Sequence, residues 1–221
     1  MKFTKMEGCG NDYVYVDARN LTADWATLSK AMSDRHFGVG GDGLILIMES
    51  DIAALRMRMF NSDGSEGEMC GNGIRCFAKY ALDRGIVALD SGELTIETAA
   101  GVRVVSPFVE NGVITGARVS MGTPVLRPSE IPVSCDANKG RRLGEAVVDY
   151  PLVIGDVNLS LAFISMGNPH AIAFVDDAVD EFPLHTVGPL VESHPMFPKK
   201  VNFEIVNVLE SGHMRARVWE P

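Results

Sequence analysis

The groups best suited to chemistry are concentrated between Asn61 and Cys76, in the run NSDGSEGEMCGNGIRC. An apolar, strand-like run, Leu55 to Phe60, leads into it. A helix-like run leaves it, with Ile74, Phe77, Ala78, Ala81 and Leu82 at helical spacing. This pattern places Cys70 where a strand has ended and a helix begins. Gly71 and Gly73 let backbone N–H groups come close to a ligand. The first turn of a helix carries N–H groups without intrahelical partners and the positive end of the dipole, which suits a carboxylate or phosphate. The same setting is one of those that lower a cysteine pKa from about 8.5 to between roughly 3.5 and 7.5. One element can thus hold an anion and place a reactive sulfur beside it. Against this stands the plainer reading, in which the cysteine is a small buried apolar residue and the glycines punctuate a turn.

Other elements must position this stretch. Lys2 to Met6 and Tyr13 to Val16 are strand candidates on either side of a glycine-rich loop, Glu7 to Asp12. Asp24 is placed to cap a helix over Trp25 to Met32. A loop with four glycines, His36 to Gly43, precedes strands at Leu44 to Met48 and Leu55 to Phe60. Glu93 to Thr98, Val102 to Val109 and Val113 to Met121 follow as strands, with Asn111-Gly112 a hairpin signal. A proline-rich polar crossing from Gly122 to Pro132 separates 1–121 from a second half, 122–221. In that half, Cys135 to Gly144 reads as loop. Strands are expected at Tyr150 to Ile154, Val157 to Ile164, Ala171 to Val175, Val201 to Leu209 and Met214 to Trp219, with a short helix from Pro183 to about Glu192.

Composition excludes several classes. At 221 residues, 46% hydrophobic and 22% charged, the chain has ample material for one large or two small cores. A net charge of −9 argues against a general nucleic-acid binder. No run is long enough to span a membrane, and polar Glu7 and Gly8 follow the first six residues where an export signal would be apolar. The four cysteines, Cys9, Cys70, Cys76 and Cys135, form no Cys-x-x-Cys pair, so no structural zinc is expected; with no export signal visible, no disulfide is expected either, and the chain reads as cytoplasmic. A phosphate-binding loop at Gly38 to Gly43 lacks the following Lys-Ser/Thr.

The two halves share a weak repeat. Gly10-Asn11-Asp12 leads into Val14-Tyr15-Val16-Asp17, and Gly167-Asn168-Pro169-His170 leads into Ile172-Ala173-Phe174-Val175-Asp176. Asn61 follows Asn11 by 50 residues, and Glu220 follows Asn168 by 52. In the first half the Cys70 stretch comes next, whereas in the second only Pro221 follows Glu220. The expectation is of a duplicated fold in which the 221 residues stop short of the second copy of that stretch.

Taken together, these segments resemble the diaminopimelate epimerase family. The matching pieces are Lys5-Met6-x-Gly8-x-Gly10-Asn11-Asp12, Gly38-Val39-Gly40-x-Asp42-Gly43, Met59-Phe60-Asn61-x-Asp63-Gly64-Ser65-Glu66, Cys70-Gly71-Asn72-Gly73-x-Arg75-Cys76, Ser165-Met166-Gly167-Asn168-Pro169-His170 and Val218-Trp219-Glu220. The resemblance implies an α+β fold of two pseudo-symmetric β-rich halves, each around a central helix, the second incomplete here. It implies a cofactor-independent isomerase that interconverts LL- and meso-diaminopimelate for lysine and peptidoglycan synthesis, with one cysteine from each half facing the α-carbon. Carried over residue by residue, Cys70 is one of the acid/base pair. Gly71 and Asn72 bind the α-carboxylate, and Asn11, Asn61, Asn168, Asn202 and Glu220 bind other polar groups of the substrate. His170 and Glu220 tune the cysteine protonation. The family continues past Trp219-Glu220 with an arginine and a second cysteine loop. Pro221 stands in the arginine's place, so the 221 residues are expected to be inactive in epimerisation. A small-molecule substrate is the expected partner, with neither nucleic acid nor membrane, and a homodimer is left open. Cys9, Cys76 and Cys135 are read as structural or incidental. Two other readings remain open: a related racemase or isomerase of the same fold, such as the proline racemase or phenazine-pathway types, and a non-catalytic binding protein derived from an epimerase.

Overall fold

A computed structural model describes residues 1–89, 92–136 and 138–220. Pro221, singled out above, lies outside the described residues. The chain forms two compact units, Met1–Gly122 and Thr123–Pro221.

The first unit is a mixed sheet with a helix on each face. Its strands are β1 (Thr4–Gly8), β2 (Asn11–Asp17), β3 (Gly43–Met48), β4 (Leu55–Asn61), β5 (Glu66–Gly67), β6 (Leu94–Thr98), β7 (Gly101–Glu110) and β8 (Val113–Val119). The order across the sheet is β1-β2-β3-β4-β6-β7-β8, with β5 folded back on β4. β2–β3 and β4–β6 are parallel, and the other pairs antiparallel. Helix α1 (Trp25–Ser33) joins β2 to β3, and α2 (Gly71–Asp83) joins β5 to β6. Strand residues alternate between the faces. Tyr13, Tyr15, Ile45, Ile47, Met57 and Met59 pack with Ile74 and Phe77 of α2. Val14, Val16, Leu44, Leu46 and Phe60 pack with Trp25 of α1. Burial on both faces is why β2 and β3 read as unbroken apolar runs. Both ends of the sheet, β1 and β8, reach α2, so the sheet curls around that helix.

Asp24 caps α1 as expected, its carboxylate accepting from Thr27 N at 3.1 Å. The loop expected from Glu7 to Asp12 contracts to a two-residue turn. Gly8 pairs with Asn11 across the β1–β2 ladder. Cys9 and Gly10 alone take positive φ, 51° and 93°, and Gly10 N donates to Glu7 Oε1 at 2.6 Å. Asn11 is therefore a strand residue, held in a ladder rather than a mobile loop. Asn111-Gly112 forms its hairpin with φ of 52° and 77°, the left-handed pair such a two-residue turn requires.

The second unit contains β9 (Arg141–Leu143), β10 (Ala146–Val148), β11 (Tyr150–Ile154), β12 (Val157–Ser165), β13 (Pro169–Phe174), β14 (Asn202–Val208) and β15 (Met214–Trp219), with α3 (Leu184–Glu192) between β13 and β14. β11 to β15 lie side by side in chain order. The Cys135 to Gly144 loop is shorter than expected, because Arg141–Leu143 pairs with Ala146–Val148 in a small ribbon. β12–β13 is antiparallel, β13–β14 parallel across α3, and β14–β15 antiparallel. This repeats the order β1–β2, α1, β3, β4 of the first unit, the internal likeness suspected from the Gly-Asn motifs. Among the described residues of the second unit α3 is the sole α-helix, and it occupies the place of α1, not of α2. Trp219 locks β15 to α3: its Nε1 donates to Glu192 Oε2 at 2.7 Å, and its ring fills the space over Gly188. The Lys200 ammonium and then the indole N–H hold the Glu192 carboxyl below its usual range.

Candidate active site

Cys70 is the N-cap of α2. Its backbone is extended (φ −127°, ψ 118°), and its carbonyl accepts from Ile74 N at 2.9 Å, the first bond of the helix. Gly73 N donates to Cys70 Sγ at 3.3 Å, so the sulfur does the work usually done by a serine or aspartate oxygen. A half-buried sulfur thus sits among the first-turn amides of α2. Gly73 is closely packed: a Cβ there would lie 2.7 Å from Ile45 Cδ1, which would have to move, and 3.6 Å from Cys70 Sγ. Gly71 is under less constraint, with only Met121 near a would-be Cβ, at 3.6 Å and beyond. Tyr15, fully buried, donates from its hydroxyl to Gly73 O at 2.9 Å and ties the first turn to the sheet beneath. Burial pushes that hydroxyl far above the usual tyrosine range, so it remains a donor.

Asn11 and Asn72, predicted from separate motifs, are brought together. Asn72 Nδ2 donates to Asn11 Oδ1 at 2.8 Å, and Asn11 Nδ2 donates to Asp42 Oδ2 at 3.1 Å. Arg75 Nη2 donates to Asn72 Oδ1 at 2.5 Å, and Arg75 Nη1 to Gly71 O at 3.1 Å. Asp42 also accepts from Asp12 N and from Arg35 Nη2, at 3.1 and 2.8 Å. Arg35 bridges Asp42 to Asp12, and Lys5 lies 3.0 Å from Asp12 Oδ2. The Arg35 guanidinium first, then Lys5, hold the Asp12 carboxyl down to about 2. Asn61 stands apart from this chain of bonds. Its Nδ2 donates to Ser65 Oγ at 3.0 Å, inside the turn that ends β4.

The second-unit residues form their own cluster. His170 Nδ1 lies 2.5 Å from Glu204 Oε1, and His170 Nε2 lies 3.0 Å from Asn168 Oδ1. Asn202, 7% exposed, is opposite His170 in the parallel ladder. Glu220 is exposed just after β15. Sequence reasoning missed Glu204. The signal was there: Asn202 and Glu204 are polar and alternate with apolar, buried Phe203 and Ile205, which puts both on the same face of β14.

The other cysteines differ from Cys70. Cys76 is buried, donates to Glu7 O at 3.4 Å and has its thiol pushed up by burial. Burial pushes the half-buried Cys135 thiol up as well. Cys9 is exposed, with Sγ 3.2 Å from Arg75 Nη2. The glycines of the 38–43 loop are accounted for by backbone packing. A Cβ on Gly38 would meet Ala31 O at 2.3 Å, and one on Gly43 would meet Phe60 O at 2.1 Å. Among the described residues no three His, Cys, Asp or Glu side chains form a metal-binding group. No helix among them is long and apolar enough to cross a membrane.

The fold defines a class: the α+β proteins whose structures include a phenazine biosynthesis protein of the PhzF family from Bacillus anthracis and a hydroxyproline epimerase from Agrobacterium vitis. The first superposes with a TM-score of 0.58 at 19% identity, over 99% of this chain and 70% of that one. The second does so with a TM-score of 0.56 at 13% identity, over 98% and 69%. At these identities the likeness is one of fold. Sequence narrows the class. Residues 3–127 and 162–221 match the family model of diaminopimelate epimerase. Diaminopimelate epimerases of Methanococcus maripaludis and Agathobacter rectalis are 47% and 48% identical over all 221 residues, which span 76% of each relative. The chain belongs to the diaminopimelate epimerase family.

Proposed function

We propose that this chain carries the Cys70 half of a diaminopimelate epimerase site, an isomerase of lysine and peptidoglycan synthesis that works without pyridoxal phosphate. The observation that carries the reading is Cys70 Sγ at the N-cap of α2 with the Gly73 N–H directed at it. The α-proton of an amino acid is a weak acid, and its removal builds negative charge towards the α-carboxylate. The unpaired N–H groups at the start of α2, with the helix dipole behind them, hold that carboxylate as the charge grows. Cys70 takes the proton as a general base or returns it as the acid. Asn11 and Asn72, each both donor and acceptor, bind polar groups of the substrate, and Gly71 supplies a backbone amide. Asn61, Asn168, Asn202 and Glu220 are assigned further substrate contacts, and His170, with Glu204, a part in setting protonation. We place the protein in the cytoplasm, on the biosynthetic role of its relatives.

Inversion needs a second acid on the opposite face, because one base alone returns the proton to the side it came from. The second unit of these 221 residues has a single cysteine, Cys135, whose thiol burial pushes up. The 221-residue chain is therefore expected to exchange the α-hydrogen of one diaminopimelate isomer with solvent and not to invert it. Mass spectrometry for deuterium incorporation and optical rotation, both in D₂O, separate the two. Cys70→Ala is expected to lower exchange by about 10²–10⁴-fold, the usual contribution of a positioned acid or base. Wild-type exchange in Cys70→Ala, or inversion by the 221 residues at the rate of a complete relative, contradicts the proposal. Saturable binding without exchange supports the non-catalytic reading instead.

A further inference from the structure

The chain of hydrogen bonds running through Asn11 and Asn72 has a direction, and that direction is set at its ends. At one end Asp42 is a carboxylate and only accepts; at the other Arg75 is a guanidinium and only donates. Between them every bond points the same way: Arg75 to Asn72 Oδ1, Asn72 Nδ2 to Asn11 Oδ1, Asn11 Nδ2 to Asp42 Oδ2. An asparagine amide is nearly symmetric in shape, and a half-turn about its last bond exchanges donor for acceptor. Reversing either amide here would set an N–H against the guanidinium or an oxygen against the carboxylate. Both ends are themselves anchored. Asp42 accepts from Arg35 and from Asp12 N, and Arg75 Nη1 donates to Gly71 O in the first turn of α2.

We propose that Asp42 and Arg75 are positioning residues that fix which edge of Asn11 and Asn72 is donor and which is acceptor. Each amide then keeps one N–H and one lone pair for a ligand, in one orientation. The inference deepens the proposed function, on which its ligand half rests, since the amides so oriented are those assigned to the substrate. Neither Asp42 nor Arg75 needs to touch the substrate. Asp42→Asn replaces a pure acceptor with a group that both donates and accepts, so the relay loses its polarity with little change in volume. Arg75→Met removes the donating end and keeps much of the apolar stem.

The test has a ligand-free arm and a ligand arm. In ligand-free wild type, proton NMR of the 15N-labelled side-chain amides is expected to show, for Asn11 and for Asn72, one Nδ2 proton exchanging with water at least tenfold more slowly than the other. In Asp42→Asn that difference is expected to collapse at Asn11, and in Arg75→Met at Asn72. Asp12→Asn serves as a control: it weakens the ion pairs with Arg35 and Lys5 but leaves the relay, so the difference is expected to survive. In the ligand arm, diaminopimelate affinity measured by calorimetry is expected to fall about tenfold to a hundredfold in Asp42→Asn, the range for a charged hydrogen bond. Equal exchange of the two protons on each wild-type amide overturns the relay, whether or not any variant folds. An unchanged amide pattern in folded Asp42→Asn and Arg75→Met overturns the role of the two charged ends. A wild-type relay as expected with no diaminopimelate binding leaves the positioning intact and sinks the proposed function.

Discussion

Replacing Gly73 with alanine opposes two effects of known size. In a helix, Gly→Ala ordinarily stabilises by roughly 0.5–1 kcal/mol, because glycine loses more backbone freedom on folding. Here the new Cβ would stand 2.7 Å from Ile45 Cδ1, against the 3.4–4 Å of ordinary contact, so about 1 Å of movement is required. Ile45 is wholly buried in the same cluster as Tyr15 and Ile74, so a shift of its terminal methyl has to be taken up by packed neighbours. Overpacking of this kind costs about 1–3 kcal/mol, and the net expectation is a loss of about 1–2 kcal/mol. Gly71→Ala supplies the comparison. The same helix start gains the same methyl, but it meets only Met121 at ordinary distance, so this variant is expected to be neutral or up to about 0.5 kcal/mol more stable. The assay is urea denaturation followed by near-ultraviolet circular dichroism, with a gap of about 2 kcal/mol between the two variants, or about 4–8 °C in Tm. If Gly73→Ala is as stable as Gly71→Ala, the claim that the sheet surface fixes the Cys70 turn by steric contact is wrong.

Two further outcomes follow from the charges and the second core. Asp12, 17% exposed at its side chain, is held near 2 against an ordinary 3.8, so its contribution is present above pH 4 and lost as the pH falls towards 2. Asp12→Asn is accordingly expected to cost about 1–2 kcal/mol at pH 7 and no more than about 0.5 kcal/mol at pH 2, read from urea midpoints across that range. Gly188→Ala would put a Cβ 2.5 Å from Trp219 Cγ, a ring pinned by Glu192. It is expected to cost at least about 2 kcal/mol and to red-shift the Trp219 fluorescence, which a Trp25→Phe background isolates.

What the sequence made legible was local. The change of apolar spacing from strand to helix around Cys70, the Asp24 cap and the Asn111-Gly112 hairpin are each decided by a few neighbouring residues, and each stands where expected. The internal likeness was legible because strand order follows chain order. The Asn11–Asp42 and Asn11–Asn72 bonds join residues 31 and 61 positions apart, and no short pattern announces such a meeting. Asn11 read as a loop residue because Gly8 and Gly10 suggested a long turn, whereas Cys9 and Gly10 turn the chain by themselves. The β9–β10 ribbon was hidden for the opposite reason: Arg141 to Leu143 is exposed and polar enough to pass for loop.

The accuracy with which Cys70 is placed owes little to the glycine-rich loop that made it conspicuous. A loop supplies freedom, and the proposed general base must be held within a few tenths of an ångström of its working position. The holding comes from the sheet beneath. Tyr15 on β2 bonds the Gly73 carbonyl, Ile45 on β3 abuts the space where a Gly73 side chain would be, and both are fully buried. These strands are parallel neighbours, in register Tyr15 to Ile45, so the two contacts are one rigid platform. Gly73, so gripped from below, turns its N–H towards Cys70 Sγ. The sulfur is thus located by strand residues 55 and 25 positions earlier in the chain, and the loop between β4 and α2 needs only to be long enough to reach it.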